Sequence, residues 1–152
     1  EKRIKHPTTD PVNALMSLGY TFVMNEIASY SDGIGFDPYI GFLHGIEYGR
    51  QSLACDLIEI YRSIFIDSFT LKLLNLKILK ENDFEKKEDG GCYLSNQRFK
   101  IYLSSYEEAI NESRKILNGK CYRETIRESC HILAKYLRGD LQEKLIFLNL
   151  TK

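Results

Sequence analysis

Apolar residues recur along much of the chain at the three- and four-residue spacings of an amphipathic helix. In "DPVNALMSLGYTFVMNEIASY" Met16, Tyr20, Val23, Ile27 and Tyr30 form one stripe, and Leu15, Leu18 and Phe22 widen it until most of the circumference is apolar. Asp10 stands as N-cap ahead of Pro11, whose missing N–H is no loss at the first helical position. The pattern predicts a helix over 11–30, apolar enough on most sides to be central. From Ser52 to Leu74 the helical period returns, with Leu53, Leu57, Ile60 and Ile64 on one stripe and Ala54, Ile58, Tyr61 and Phe65 beside it. The remaining narrow face holds Asp56, Glu59, Arg62 and Ser63. Two further helices are expected: one over 96–117 (Phe99, Tyr102, Tyr106, Ala109, Ile110) stopped at Gly119, the other over 121–138 (Ile126, Cys130, Leu133, Leu137) stopped at Gly139.

Two stretches break this pattern. "SDGIGFDPYIGFLHGIEYGR" carries five glycines and a second Asp-Pro start, which suits a short helix or turn and an irregular loop. "ENDFEKKEDGGCYLSNQ" combines a charge run with Gly90-Gly91, so an exposed loop or small hairpin near 82–95 is expected, with weak strands around Phe84 and Tyr93. The predicted fold is mainly α: one bundle-like helical domain over 1–152 with a small irregular insertion, and no repeats.

Composition narrows the function classes. With 152 residues, 43% hydrophobic and 28% charged, the chain suits one globular domain that buries roughly two-thirds of its unfolded surface. Lys plus Arg (21) equals Asp plus Glu (21), so no overall positive field holds nucleic acid or an anionic membrane, and any anion site is local. Cys55, Cys92, Cys121 and Cys130 show no CxxC pair and no metal-ligand spacing, which suits a reduced, cytoplasmic chain. No stretch approaches the roughly 20 apolar residues of a membrane span, so no membrane partner is expected. The opening "EKRIKHPTTD" lacks an initiator Met and runs almost at once into the first helix, the start expected of a piece of a longer protein.

Chemistry concentrates in "GFLHGIEYGRQSLACDLIE", residues 41–59. Residues three apart on a helix are neighbours, so Asp56 and Glu59 are expected to aim carboxylates at one small volume, where two anions need a cation, a shared proton or solvent. A neutral His44 imidazole would complete a mixed nitrogen and oxygen site suited to Mn²⁺ or Mg²⁺ rather than structural Zn²⁺. On spacing alone a solvated helix face, partly self-paired through Arg62, is the commoner arrangement. His6 and His131 lack ligand partners nearby in sequence and are read as surface or packing residues. Tyr20, Tyr30, Tyr39, Tyr48 and Tyr61 are candidates for stacking on bases, although aromatic residues at helical spacing mostly fill cores. Cys55 has no base motif around it and is expected to pack.

The strings "DPVNALMSLGY", "GFDPYIGFLHGIEYGRQSLACDLIEIYR" and "FIDSFTLKLLN", in that order, resemble the C-terminal helical catalytic domain of the CRISPR-associated integrase, the universal spacer-acquisition protein of CRISPR systems. "YLSNQRFKIYLSSYEE" and "YRETIRESCHILAKYLRGD" keep the family's looser pattern, so the resemblance covers nearly the whole chain. It implies a metal-dependent DNA endonuclease and integrase that inserts spacers into a CRISPR array by phosphodiester transesterification. In that family a glutamate, a histidine and a later acid hold Mn²⁺ or Mg²⁺. By motif, His44 is the histidine and Glu59 the later acid, with Asp56 beside it as an accessory acid. The first glutamate precedes "DPVNALMS" in the family and is unassigned here, as is the small N-terminal β-domain through which the family forms homodimers. Arg50, Arg62, Lys72, Lys77 and Lys80 are the candidate phosphate contacts. The implied partners are prespacer and repeat DNA, a second copy of the protein and a small CRISPR-associated adaptation protein. Two alternatives stay open: a non-catalytic helical DNA-binding or assembly domain, and an unrelated helical metal phosphohydrolase, which would want more His or Asp ligands than the sequence offers.

Overall fold

The computed structural model describes residues 8–140 and is mainly helical. Helix α1 (Pro11–Ile34) starts as predicted, with the Asp10 carboxylate accepting from the Asn13 amide at 2.9 Å. It runs on past residue 30, because Ser31 faces inward with no exposure and its hydroxyl lies against Cys130 Sγ in the last helix. The helix is central: it packs on α2 (Ser52–Ile58), α3 (Ser68–Asn75), the small hairpin and α5 (Tyr122–Leu137).

The single helix expected from Ser52 to Leu74 is a three-part path. After α2 the backbone tightens, with Ile60 N–H bonding Leu57 O and Tyr61 N–H bonding Ile58 O. It then widens into a π-helical turn over Arg62–Asp67, where Tyr61 O accepts from both Phe65 and Ile66 amides at 3.1 Å. This re-phases the buried face: Tyr61, Phe65, Ile66 and Phe69 reach the core, while Ile60 and Ile64 are only half-buried. π-Turns inside helices are frequent at functional sites, and this one begins three residues after Glu59.

The excursion near 82–95 is a two-stranded antiparallel hairpin, β1 (Phe84–Lys86) with β2 (Cys92–Leu94), Phe84 opposite Leu94. Its tip, residues 85–90, is exposed as expected, while its base is tied down: Cys92 is buried, Phe84 and Leu94 pack on the core, and Thr8 O accepts from the Cys92 amide at 2.7 Å. Helix α4 (Asn96–Asn111) ends six residues before its predicted stop, where the Asn111 side-chain amide takes up the Glu107 carbonyl at 2.8 Å. A 3₁₀ turn, Lys115–Leu117, then buries Leu117. The core joins α1, α3, α4 and α5 through an aromatic cluster of Phe22, Phe65, Phe69, Tyr102, Tyr106 and Tyr122, the Phe65 and Tyr122 rings 4.5 Å apart. Arg123 on α5 clamps Glu26 of α1 at 2.7 Å and Glu107 of α4 at 2.9 Å. Among the described residues no helix is long and apolar enough to cross a membrane.

Candidate functional site

The site is built from the loop between α1 and α2 and from α2 itself. Asp56 is 3% exposed, and its carboxylate accepts from three consecutive loop amides: Phe42 and Leu43 to Oδ2 at 2.6 and 2.9 Å, and His44 to Oδ1 at 3.0 Å. His44 Nδ1 meets the same Oδ1 at 2.5 Å. Successive N–H groups folded around one anion form a nest. Burial pushes the Asp56 pKa up, but the Leu43 amide, the His44 ring and the Phe42 and His44 amides together hold it below the usual aspartate range. Asp56 is therefore charged at neutral pH. In the neutral imidazole the ring nitrogen facing this acceptor is the one that carries the proton, and Nε2 then holds the lone pair; the ring is partly exposed.

The sign of the resulting pH dependence follows. A carboxylate whose folded pKa is lowered contributes stability above the unfolded aspartate value, about 3.9, and loses it as pH falls through the folded value. Asp56→Asn is expected to flatten the loss of unfolding free energy as pH falls below the unfolded aspartate value and through the lowered folded one. Equal acid slopes for chain and variant in denaturant titrations would contradict the cradle.

Two residues that sequence reasoning passed over make this loop possible. A Cβ on Gly41 would stand 2.7 Å from Asp56 Oδ2, 2.8 Å from His44 O and 2.9 Å from the Ser52 carbonyl carbon, so no side chain fits. Gly41→Ala is expected to cost about 1–3 kcal/mol of stability by overpacking and to shift the His44 amide resonance, read by thermal melting and amide NMR. Ser52, fully buried, donates to Gly45 O at 2.9 Å and fixes the far end of the turn. Gly41 was hidden among five glycines and Ser52 read only as a helix start.

Glu59, at the end of α2, is exposed and lies 3.2 Å from Arg62 Nη1. Arg62 in turn stacks over the Tyr20 ring, 4.9 Å from its centroid, and Tyr20 donates to Asp67 at 2.7 Å. Burial and Asp67 push the Tyr20 hydroxyl up to about 12, so it stays a neutral donor. An exposed ion pair is worth little, so Glu59 is free to exchange Arg62 for another cation.

The expectation that Asp56 and Glu59 share one small volume on a polar face is corrected. Three residues along a helix leave side chains about 60° apart, and the Gly41–His44 loop covers only the Asp56 side. Asp56 is turned in under the loop while Glu59 faces solvent. Among the described residues no three His, Cys, Asp or Glu side chains converge as a metal-binding group. The exposed donors are the His44 imidazole and the Glu59 carboxylate, residue types that suit part of a shell for Mn²⁺ or Mg²⁺.

Arg50 is tied into its own loop, donating to Gly45 O at 2.7 Å and paired with Glu47. Lys72 is exposed on α3; Lys77 and Lys80 are exposed beyond the helix end rather than along it, with Lys77 in the left-handed region at φ 55°. His131 is on the surface of α5, and His6 lies outside the described residues. Tyr61 is fully buried and Tyr48 fully exposed, which separates core from candidate stacking aromatics. All four cysteines are free, and burial pushes the half-buried Cys55 thiol up, away from nucleophile chemistry.

Fold and site together define a helical domain that carries a carboxylate-braced histidine on the loop before α2 and an exposed glutamate at the end of α2. A family model described as CRISPR associated protein Cas1 matches residues 1–108. The chain is 45% identical over 120 residues to CRISPR-associated endonuclease Cas1 1 of Thermodesulfovibrio yellowstonii, covering 78% of this chain and 37% of that protein. It is 40% identical over 143 residues to CRISPR-associated endonuclease Cas1 3 of Thermus thermophilus, covering 92% and 43%. Among solved structures, a casposase bound to integration product shares the fold with a TM-score of 0.83 at 24% identity, over 95% of this chain and 42% of that one. TM1797, a Cas1 protein from Thermotoga maritima, does so with a TM-score of 0.78 at 27% identity, over 89% and 43%. The chain belongs to the Cas1 family, and it spans less than half the length of these relatives.

Proposed function

We propose that this chain is the helical catalytic portion of a metal-dependent DNA endonuclease and integrase that inserts spacers into a CRISPR array. The observation that carries the reading is the Asp56–His44 arrangement. A buried carboxylate that fixes the tautomer and aim of an imidazole is the support metal-ligating histidines use, and the His44 side chain held this way stays partly exposed. His44 and Glu59 are the residues that would hold the ion, and Asp56 positions His44. When bound, Mn²⁺ or Mg²⁺ supplies neutralisation of charge on the phosphoryl oxygens and lowers the pKa of the attacking hydroxyl. The chain's own part is to hold His44 rigidly, to keep Glu59 mobile enough to leave Arg62, and to offer Arg62 to a phosphate oxygen once Glu59 is engaged. Lys72 and Lys77 are exposed cations for the DNA backbone, whereas Arg50 serves chiefly its own loop.

The activity, substrates and partners of the whole protein enter by relationship. They are prespacer and repeat DNA, a second copy of the protein, and a small CRISPR-associated adaptation protein. The casposase that shares this fold is bound to integration product, which is in keeping with this reading.

A second reading has one observation in its favour. With no three-donor group among the described residues, the isolated chain acts as a DNA-holding helical domain without a filled metal site. Both readings meet in one experiment. Titrated with Mn²⁺, the chain is expected to bind weakly through His44 and Glu59 and to cleave DNA poorly. Weak binding that His44→Ala abolishes supports the catalytic reading; binding unchanged by His44→Ala removes it. Robust metal-dependent cleavage by the isolated chain would overturn the partial-shell argument.

A further inference from the structure

Gly41 and Phe42, whose backbone walls the Asp56 cradle, also line a groove of about 480 Å³. Its other walls are Phe36, Ile40, Leu53, Leu133, Tyr136 and Leu137, with Asp37 the one charged lining residue. Ile40 is 57% and Leu137 63% exposed. Leaving such apolar area in water forgoes about 25 cal/mol per Å², and contiguous apolar patches mark binding surfaces. Helix α5 ends in this groove. Gly139, at φ 82°, closes the helix with its amide on Tyr136 O at 3.0 Å and the Asp140 amide on Lys135 O at 2.9 Å. That pair of bonds is a Schellman cap, which fixes the direction in which the chain leaves. The next residues read "LQEKLIFLNLTK": Leu141, Leu145 and Leu148 fall at i, i+4 and i+7, with Ile146, Phe147 and Leu150 adding apolar bulk. Residue 141 follows Leu137 by four positions, a reach of no more than about 14 Å at full extension, so the apolar sequence that follows is tethered within reach of the groove at high effective concentration.

We infer that residues 141–150 dock in cis in this groove, on Ile40, Leu133 and Leu137, and clamp the Gly41–Phe42 limb that holds His44 against Asp56. The consequence for catalysis rests on the proposed function; the docking itself does not.

The test uses the complete 152-residue chain with methyl and aromatic isotope labels. Nuclear Overhauser contacts are expected from the Ile40 and Leu133 methyls to the Phe147 ring, within one molecule. Leu145→Asp with Phe147→Asp is expected to abolish them and to speed hydrogen exchange of the Leu43 and His44 amides at least about tenfold, the factor that 1.4 kcal/mol makes. The control Gln142→Ala is expected to change neither. Contacts found only between differently labelled copies would make a second chain the occupant and overturn docking in cis. Absent contacts with unprotected amides across 141–150 would overturn docking altogether, and contacts without any change at Leu43 and His44 would overturn the clamp. None of these readouts uses metal or DNA, so their failure leaves the proposed function standing, and failure of the metal titration leaves the docking standing.

Discussion

On the proposed function, and in a protein of the relatives' full length that carries this domain, His44→Ala or Glu59→Ala is expected to abolish spacer integration into a repeat-bearing plasmid while folding and DNA binding stay near normal. Each change removes one donor from the proposed metal shell, to which this chain would contribute two exposed groups. Losing an outer partner of a ligand costs 10–100-fold, so losing the ligand itself should cost about 100-fold or more. DNA affinity is a sum over many phosphate contacts, and one deleted ligand changes it little. Folding is spared for Glu59, whose exposed side chain pairs with Arg62; a surface substitution of this kind stays within about 0.5 kcal/mol. His44→Ala leaves the backbone amide on Asp56 and removes only the ring contact. The measurements are integration, DNA binding and thermal melting on the same preparations. Near-normal integration by a folded Glu59→Ala protein would end the assignment of that residue.

What the sequence carried and what it hid divide along physical lines. The start of α1 was legible because Asp10 and Pro11 act locally, through a cap bond and a fixed φ. The stop of α5 was legible for the same reason, in Gly139. The π-turn at Arg62–Asp67 was not, because no Gly or Pro marks it; it exists to bring Tyr61, Phe65 and Ile66 to the core together, a tertiary demand that overrides local preference. His44, Asp56 and Glu59 were visible as residue types with the right spacing. Their division of labour was invisible, because helical spacing says which residues are neighbours and nothing about a loop from elsewhere in the chain that buries one of them. The hairpin was legible from Gly90-Gly91, but its docking through Cys92 and Thr8 depends on a strand edge that only the fold creates.

Asp56 is where that hidden division matters most, and it changes the expected ranking of the three substitutions. Read as an accessory acid beside Glu59, Asp56→Ala should be the mild case. With Asp56 buried under the loop, it is expected to be the most destabilising of the three and as damaging to integration as loss of His44. Removing the carboxylate strands the Phe42, Leu43 and His44 amides without their acceptor, in a cradle closed by Gly41. A buried donor left unmade costs about 1–3 kcal/mol; because the loop relaxes as a unit, a total of about 3 kcal/mol is the expected scale rather than the sum. Asp56→Asn separates the structural loss from the chemical one. Its carbonyl oxygen still accepts part of the amide cradle, so melting should fall by less than in Asp56→Ala. If its NH₂ is turned toward Nδ1, it donates where the carboxylate accepted, and the proton moves to Nε2, the nitrogen the metal needs. Integration should therefore drop about 10–100-fold in a protein that remains folded, and the imidazole nitrogen shifts should report the exchanged tautomer. An Asp56→Ala protein that melts with the parent and integrates faster than Glu59→Ala would return Asp56 to the accessory role that spacing alone suggested.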